Sequence, residues 1–394
     1  MPRDIAISEF GRAERWRSLI AVIASVFGVG VSFGALVPLI ALILERRGVD
    51  AAVIGLNSAM FPLAVLLFTP YLPHVAARLG TMPSMLLGLA VTVGAVLLLP
   101  VLPQLWAWFA LRFIIGAGVA LHWLVSETWM NLVATERNRG TIMGIYATVL
   151  AGGFALGPVL LQVTGTEGWS PFLFAAAAIA ASALPLLLGI GLAPPLSAHR
   201  GRSMWRMLRL APVAMAAALA GGLTDAAAFV LLPLYGLRVG FEESTAVLLL
   251  TVFTAGNLVL QIPIGWLADR VPRRRVLMGC AGVGVIGSAL LPATLGSPAL
   301  LWALLFIWGG TIFAFYTVGL SLLGQSFPAG QFAAANASFI VLYELGSVTG
   351  PVIGGAAMDA MGPHGMLVMV GGAALGFLLV AAFGPAPRAA QAPD

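Results

Sequence analysis

Residues 18–44 read SLIAVIASVFGVGVSFGALVPLIALIL, a run of 27 positions without one charged side chain. A helix rises 1.5 Å per residue, so about 20 apolar residues cross the roughly 30 Å of a bilayer's hydrocarbon. The run exceeds that length. It also exceeds the roughly 7–15-residue apolar core of a cleavable leader, and no small-residue cleavage pattern follows it. It is therefore expected to stay as a first membrane span. The same ruler, walked along the chain, finds eleven more: about 51–74, 83–102, 105–134, 140–163, 171–192, 210–236, 244–267, 275–295, 299–324, 331–357 and 364–385. The dyad alternation of a membrane β-barrel is absent. Glycine and proline inside the runs are compatible with spanning helices, because neighbouring helices satisfy the freed backbone groups.

Composition agrees. Of 394 residues, 60% are hydrophobic and 9% charged, whereas soluble domains carry roughly 25% charged residues. Mean hydropathy is +1.01. A soluble enzyme and a disordered chain are excluded. All twenty basic residues are arginines, and the net charge is +5. Their placement sets the topology. With the N-terminus in the cytoplasm, sixteen fall in cytoplasmic segments, namely Arg3, Arg12, Arg15, Arg17, Arg78, Arg137, Arg139, Arg200, Arg202, Arg206, Arg209, Arg270, Arg273, Arg274, Arg275 and Arg388. Arg46, Arg47 and Arg238 fall outside, and Arg112 lies within the fourth span. Both termini are expected inside. Arginines scattered over short loops form no nucleic-acid groove. The single cysteine, Cys280, rules out internal disulfides.

The longest connection, APPLSAHRGRSMWRMLR at 193–209, divides the spans into six and six. The domains are expected to be 1–192, a cytoplasmic linker 193–209, and 210–394. The halves echo one another. Gly153-Phe-Ala-Leu-Gly157-Pro158 in the fifth span returns 193 residues later as Gly346-Ser-Val-Thr-Gly350-Pro351 in the eleventh. The loop PHVAARLGTM from Pro73 returns 192 residues later as GWLADRVPRR from Gly265. Parallel six-helix repeats of this kind place a substrate site near the midplane at the repeat interface.

These features together resemble the major facilitator superfamily over essentially the whole chain. The resemblance implies an all-α membrane protein, with twelve transmembrane helices in two pseudo-symmetric six-helix bundles. The family's loop motif is matched by Gly265, Asp269, Arg270, Arg273 and Arg274, with Pro272 in place of its second glycine. The first copy keeps Arg78 and Gly80, while Pro73 and Ala77 replace the glycine and the aspartate. In the family this loop is a conformational latch. A carboxylate caps a helix N-terminus, expected here near Arg139-Gly140-Thr141, and arginines bridge to helix C-termini. Alternatively the loop only fixes topology by its charge. In the fourth span Arg112, Gly116 and Gly118 match a family motif, with Ile115 at its polar position. The glycine motif at Gly153, Gly157 and Pro158 is associated in the family with exporters that exchange substrate for protons. Leu161 and Gln162 replace its trailing glycines, and the eleventh span holds the fuller form, through Gly350, Pro351, Gly354 and Gly355. Glu127-Thr-Trp129-Met-Asn131 with Arg137-Asn-Arg139-Gly140 looks like a poorly characterised bacterial branch of the superfamily.

Ionisable residues in hydrocarbon are costly, about 2.5–3.5 kcal/mol each on insertion scales, and so mark candidate function. Asp225 and Glu344 fall near the midplane of their spans, and each can lose its charge by taking a proton. Arg112 is placed to pair with a carboxylate or hold an anionic group. Glu127 shares a helix face with Asn131, and lies fifteen residues, about 22 Å, from Arg112, too far to pair. His122 is either a core histidine or a relay. Asn257, Gln261, Tyr343, Asn336, Trp308 and Tyr316 are candidates for lining a substrate cavity. Aromatics beside carboxylates suit a cationic or amphiphilic organic ligand through ring-face attraction; alternatively they pack the core or form an interfacial belt.

No Gly-x-x-x-x-Gly-Lys phosphate loop and no His-Glu-x-x-His occurs, so no ATP motor and no metal site is expected. The reading is a secondary-active transporter and not an enzyme. It would be a monomer in the inner membrane, without a cofactor, driven by the proton gradient and leaning to efflux by antiport. Proton-coupled uptake and a non-transporting sensor or scaffold are the alternatives.

Overall fold

The computed structural model describes residues 11–134, 139–194, 210–327 and 329–384. Most of the expected linker lies outside the described residues. So do Arg3, Arg137, Arg200, Arg202, Arg206, Arg209 and Arg388, and the side chains of Asn131, Arg139 and Thr141.

The described residues form α-helices joined by short turns, without a strand. They are α1 Arg12–Arg46, α2 Ala51–Phe68, α3 Leu72–Leu79, α4 Thr81–Leu98, α5 Leu105–Val133, α6 Arg139–Thr164, α7 Ser170–Ala181 and α8 Ala183–Leu186, then α9 Pro212–Arg238, α10 Glu243–Arg270, α11 Arg273–Thr294, α12 Pro298–Ile312, α13 Ala314–Ser326, α14 Ala329–Met361 and α15 Gly365–Phe383. Among the described residues, twelve segments are long and apolar enough to cross a membrane. The protein is an all-helical multi-pass membrane protein, as the hydropathy reading expects.

The differences from that reading lie at breaks. α1 begins at Arg12 rather than Ser18, because Glu14 accepts the Gly11 N–H at 2.8 Å and caps the polar first turn. The second span ends at Phe68. Thr69-Pro70 stops it, and the short α3 follows, with Pro73 in its first turn and Leu72 and Ala76 buried. Gly80 ends α3 at φ +89°, a conformation that favours glycine, which accounts for its retention in the degenerate first loop. The sixth span breaks after Ala181, because Pro185 lacks the N–H that would reach the Ala181 carbonyl. The tenth breaks at Phe313, just after Gly309 and Gly310.

By its contacts the chain forms two compact units, 1–39 with 63–199, and 40–62 with 200–394. In the first, α6 lies against α1 through glycine. A methyl group on Gly153 would come within 2.7 Å of the Phe27 carbonyl oxygen and 2.9 Å of the Val31 nitrogen. In the second unit, α14 meets α9 through the equivalent atoms. A methyl on Gly346 would come within 2.4 Å of the Leu219 oxygen and 2.7 Å of the Leu223 nitrogen. Leu219 and Leu223 follow Phe27 and Val31 by 192 residues, so the sequence repeat is also a repeat of backbone contact. Without side chains between them the helices gain van der Waals contact, which drives helix association in lipid.

At one end of the second unit, charges gather around the turn between α1 and α2. Arg238 donates to Glu45 at 2.6 Å and to Asp359 at 3.1 Å, and Arg46 pairs with Glu243 at 2.6 Å. Asp359 also accepts the N–H groups of Ala51 and Ala52, capping α2.

Candidate transport site

Asp225 is the middle residue of the 27-residue α9. One turn earlier, Gly222 brings α9 against α14 so closely that a methyl there would sit 1.9 Å from the Tyr343 carbonyl oxygen. That contact fixes Tyr343 beside Asp225, and the Tyr343 hydroxyl donates to Asp225 Oδ2 at 3.1 Å. Asp225 is 4% exposed, and its Oδ1 has no hydrogen-bond partner among the described residues. Tyr316 of α13 sets its ring edge-on to Tyr343, centroids 4.9 Å apart, and also against Phe339. Thr317, the next residue, donates to Gln261 Oε1 at 2.7 Å, and Gln261 donates to Asn257 Oδ1 at 2.8 Å. Asn257 and Gln261 thus share a face of α10, as their spacing predicts. Thr317, absent from the sequence reading, joins that polar strip to the tyrosine pair.

Glu344 is half-buried next to the midpoint of α14, and makes no hydrogen bond or ion pair among the described residues. Asn336 has a buried Oδ1 without a partner, two turns before Tyr343. Trp308, expected on a lining face, instead lies in the core. It is 0% exposed, its ring meets Phe253 edge-on at 5.4 Å, and Gly287 leaves it room.

In the first unit, Arg112 and His122 are both buried in α5. His122 Nε2 lies 3.3 Å from Ser25 Oγ. The Trp123 indole N–H donates to Glu127 Oε1 at 2.8 Å, while Ser126 and Tyr146 bond through their hydroxyls at 2.8 Å. His122, Trp123 and Tyr146 also line a small, partly open hollow of about 10 Å³. Val26, Val29 and Phe33 come from α1, Val119, His122 and Trp123 from α5, and Tyr146, Leu150 and Phe154 from α6. The sequence reading had singled out only His122 of these nine. The signal was there as stripes at helical spacing on three separate helices, but nothing in the order of residues says that the stripes converge.

The loop between α10 and α11 ties helix ends together. Arg273 Nη1 donates to the Ser321 carbonyl of α13 at 2.8 Å. Arg274 donates to the carbonyls of Ala381 and Gly384, at the end of α15. The Arg274 contacts fall on carbonyls at the C-terminal end of α15, which lack intrahelical partners, whereas the Ser321 carbonyl that Arg273 reaches lies more than a turn before the end of α13. Arg270 stacks on Trp266 at 3.8 Å. Asp269, 74% exposed on its side chain, reaches Arg273 at 3.7 Å; the side chains of its expected partner near Arg139 are outside the described residues. Gly265 is exposed, with open space around it. Arg274→Ala is expected to loosen α15, costing roughly 1–2 kcal/mol for charged hydrogen bonds lost from carbonyls. Amide exchange at 380–384 should quicken, whereas Arg270→Ala, which removes an exposed stacking contact, should leave it unchanged.

Among the described residues, twelve apolar spans, a repeated helix-pair contact and a buried carboxyl at mid-span define the multi-pass, two-repeat architecture of a membrane transporter. Residues 22–249 and 239–394 match the model of the Major Facilitator Superfamily, and the chain belongs to that family. It is 27% identical over 336 residues to the uncharacterized MFS-type transporter YfkF of Bacillus subtilis, covering 84% of this chain and 86% of that one. It is 27% identical over 367 residues to the uncharacterized MFS-type transporter YcaD of Escherichia fergusonii, covering 92% and 95%. Among solved structures, the nucleoside transporter NupG superposes with a TM-score of 0.74 at 14% identity, covering 94% of this chain and 99% of that one. A POT family transporter in complex with a thioalcohol-conjugated peptide gives 0.70 at 14%, covering 93% and 94%. At such identity the likeness is one of fold.

Proposed function

We propose that this transporter exports a small organic molecule, cationic or amphiphilic, in exchange for protons, by rocker-switch alternating access. It works as a monomer in the bacterial inner membrane with both termini in the cytoplasm, and the proton gradient is its energy source. The arginine distribution supports the orientation, and the motif at Gly153, Gly157 and Pro158 supports the direction.

The observation that carries the coupling is Asp225. A carboxyl at mid-span, held by one tyrosine and with a second oxygen unbonded, is costly to keep charged in a sealed site. It holds a proton while sealed and releases it when water enters. Glu344, on the adjoining helix, is the second candidate carrier, and Arg112 is the buried cation of the first unit.

Everted vesicles test this reading. Substrate added to energised vesicles is expected to dissipate the pH gradient, and the response should vanish with an uncoupler. A substrate that enters only down its own gradient, leaving the pH gradient untouched, would reject proton antiport.

A further inference from the structure

We propose that the turn between α10 and α11 holds an anionic phospholipid. Its phosphate sits between the side chains of Arg270 and Arg275, and its acyl chains run along the exposed faces of the two helices. It needs only a chain that spans a bilayer, and no particular substrate or direction of transport. Residues 259–290 hold four arginines and one acid, Asp269, which reaches Arg273 and neither of the outer pair. Arg273 and Arg274 donate to backbone carbonyls of α13 and of the α15 end. Arg270 and Arg275 are exposed, and neither pairs with a carboxylate among the described residues. Arg270 lies over the Trp266 ring at 3.8 Å and gives one N–H to the Trp266 carbonyl at 3.4 Å, which leaves most of its five donors without a protein acceptor. The side chain of Arg275 donates to no described residue. Only Val271 and Pro272 separate the two helices, so the Cα atoms of Arg270 and Arg275 are at most about 18 Å apart, and one head group lies within reach of both long side chains.

Each arginine stands at the end of an apolar face. On α10, Val259, Ile262 and Trp266 precede Arg270 at steps of three and four residues, and all are exposed, Ile262 by 79%. On α11, Gly279, Ile286 and Leu290 follow Arg275 on one face and are exposed as well. Trp266 is the last apolar residue of its stripe, the place of an interfacial tryptophan, so the guanidinium over its ring is at head-group depth. The anion present at that depth, with tails that cover both faces, is a phospholipid. A free phosphate would meet the arginines alone. A zwitterionic head group would bring an ammonium beside two unpaired cations, with the single acid already at Arg273. The matching turn of the first repeat lacks this arrangement. His74, Arg78 and Pro83 stand 192 residues before Trp266, Arg270 and Arg275, so one arginine of the pair is missing there.

The test is native mass spectrometry of the full-length protein in detergent, titrated with four probes. Dioleoylphosphatidylglycerol, dioleoylphosphatidylcholine and dioleoylphosphatidylethanolamine share their tails, and glycerol 3-phosphate carries a phosphate without tails. A basic side chain near the membrane surface strengthens the binding of an anionic lipid roughly fivefold, so with two arginines phosphatidylglycerol is expected to bind about 25-fold more tightly than either zwitterionic lipid. Arg270→Gln and Arg275→Gln should each remove about fivefold of that preference, and the double variant should remove all of it. Neither side chain holds two helices together, so both variants should fold. Arg78→Gln, at the matching turn, should leave the preference unchanged. Equal binding of the three lipids, or a preference that survives in the double variant, would overturn the site. Glycerol 3-phosphate binding as tightly as phosphatidylglycerol would make it a phosphate site and not a lipid one. A loss in Arg78→Gln as large as in Arg270→Gln would reduce the effect to total charge and overturn it too. A dimer that forms without lipid and is lost in the double variant would assign the patch to a second copy of the chain instead.

Discussion

Asp225→Asn is expected to bring proton-driven transport down to the level of empty vesicles, while substrate exchange between the two sides stays within about twofold of the unaltered protein. The amide has the carboxyl's size and still accepts the Tyr343 hydroxyl, so the 3.1 Å contact and the α9–α14 crossing survive. What is lost is the alternation between a charged and a neutral form. Exchange needs both conformations of the loaded carrier but no net proton movement, and driven flux needs both. Counterflow and driven flux measured on one preparation therefore separate a carrier of protons from a residue that merely packs. Tyr343→Phe should have a smaller effect, up to about tenfold on driven flux, since it removes one hydrogen bond to the protonated carboxyl, worth about 0.5–1.5 kcal/mol. If Asp225→Asn keeps full driven flux and Glu344→Gln loses it, the carrier is Glu344; if neither loses it, both assignments go.

The spans were legible in the sequence because hydrocarbon is an undemanding solvent to read. Twenty apolar residues are needed to cross it, and the runs supply them. Where helices stop was less legible. The break after Ala181 depends on Pro185, four residues downstream, and the end of α2 depends on Thr69-Pro70, a pair that membrane helices elsewhere absorb. The glycine pairs in the fifth and eleventh spans stood out by their spacing. Their partners Gly30 and Gly222 did not, because one glycine in an apolar helix has many meanings until the facing backbone is known. Charges near the midplane were easy to find, but their company was not. Tyr343 adjoins Glu344 in sequence and yet bonds Asp225, 118 residues away. Trp308 was misplaced for a related reason, since an aromatic on a span reads alike whether it faces a cavity or, as here, Phe253 in the core.

The repeat yields a second strong expectation, a difference between two matched glycines. Gly30 and Gly222 are 192 residues apart and occupy equivalent places in the two helix-pair contacts. A methyl on Gly30 would meet the Leu150 carbonyl oxygen at 2.8 Å and its Cδ1 at 3.2 Å, whereas a methyl on Gly222 would meet the Tyr343 carbonyl oxygen at 1.9 Å and its carbon at 2.8 Å. The first is also a clash with backbone, but a shallower one, and its second contact is a side-chain methyl that can turn away. The second cannot be relieved by any rotamer change, since the atoms are backbone, so α9 and α14 must part along the crossing. Overpacking of this kind costs typically 1–3 kcal/mol, and Gly222→Ala belongs at the upper end of that range or above it. The parting also carries Tyr343 away from Asp225. Gly222→Ala should therefore lower thermal stability in detergent more than Gly30→Ala does, and should lose driven transport out of proportion to the folded protein that remains. Glycine-to-alanine exchange ordinarily favours a helix by about 0.5–1 kcal/mol, so a stabilised Gly222→Ala protein would mean that the two backbones do not touch there, and that Tyr343 is held beside Asp225 by something else.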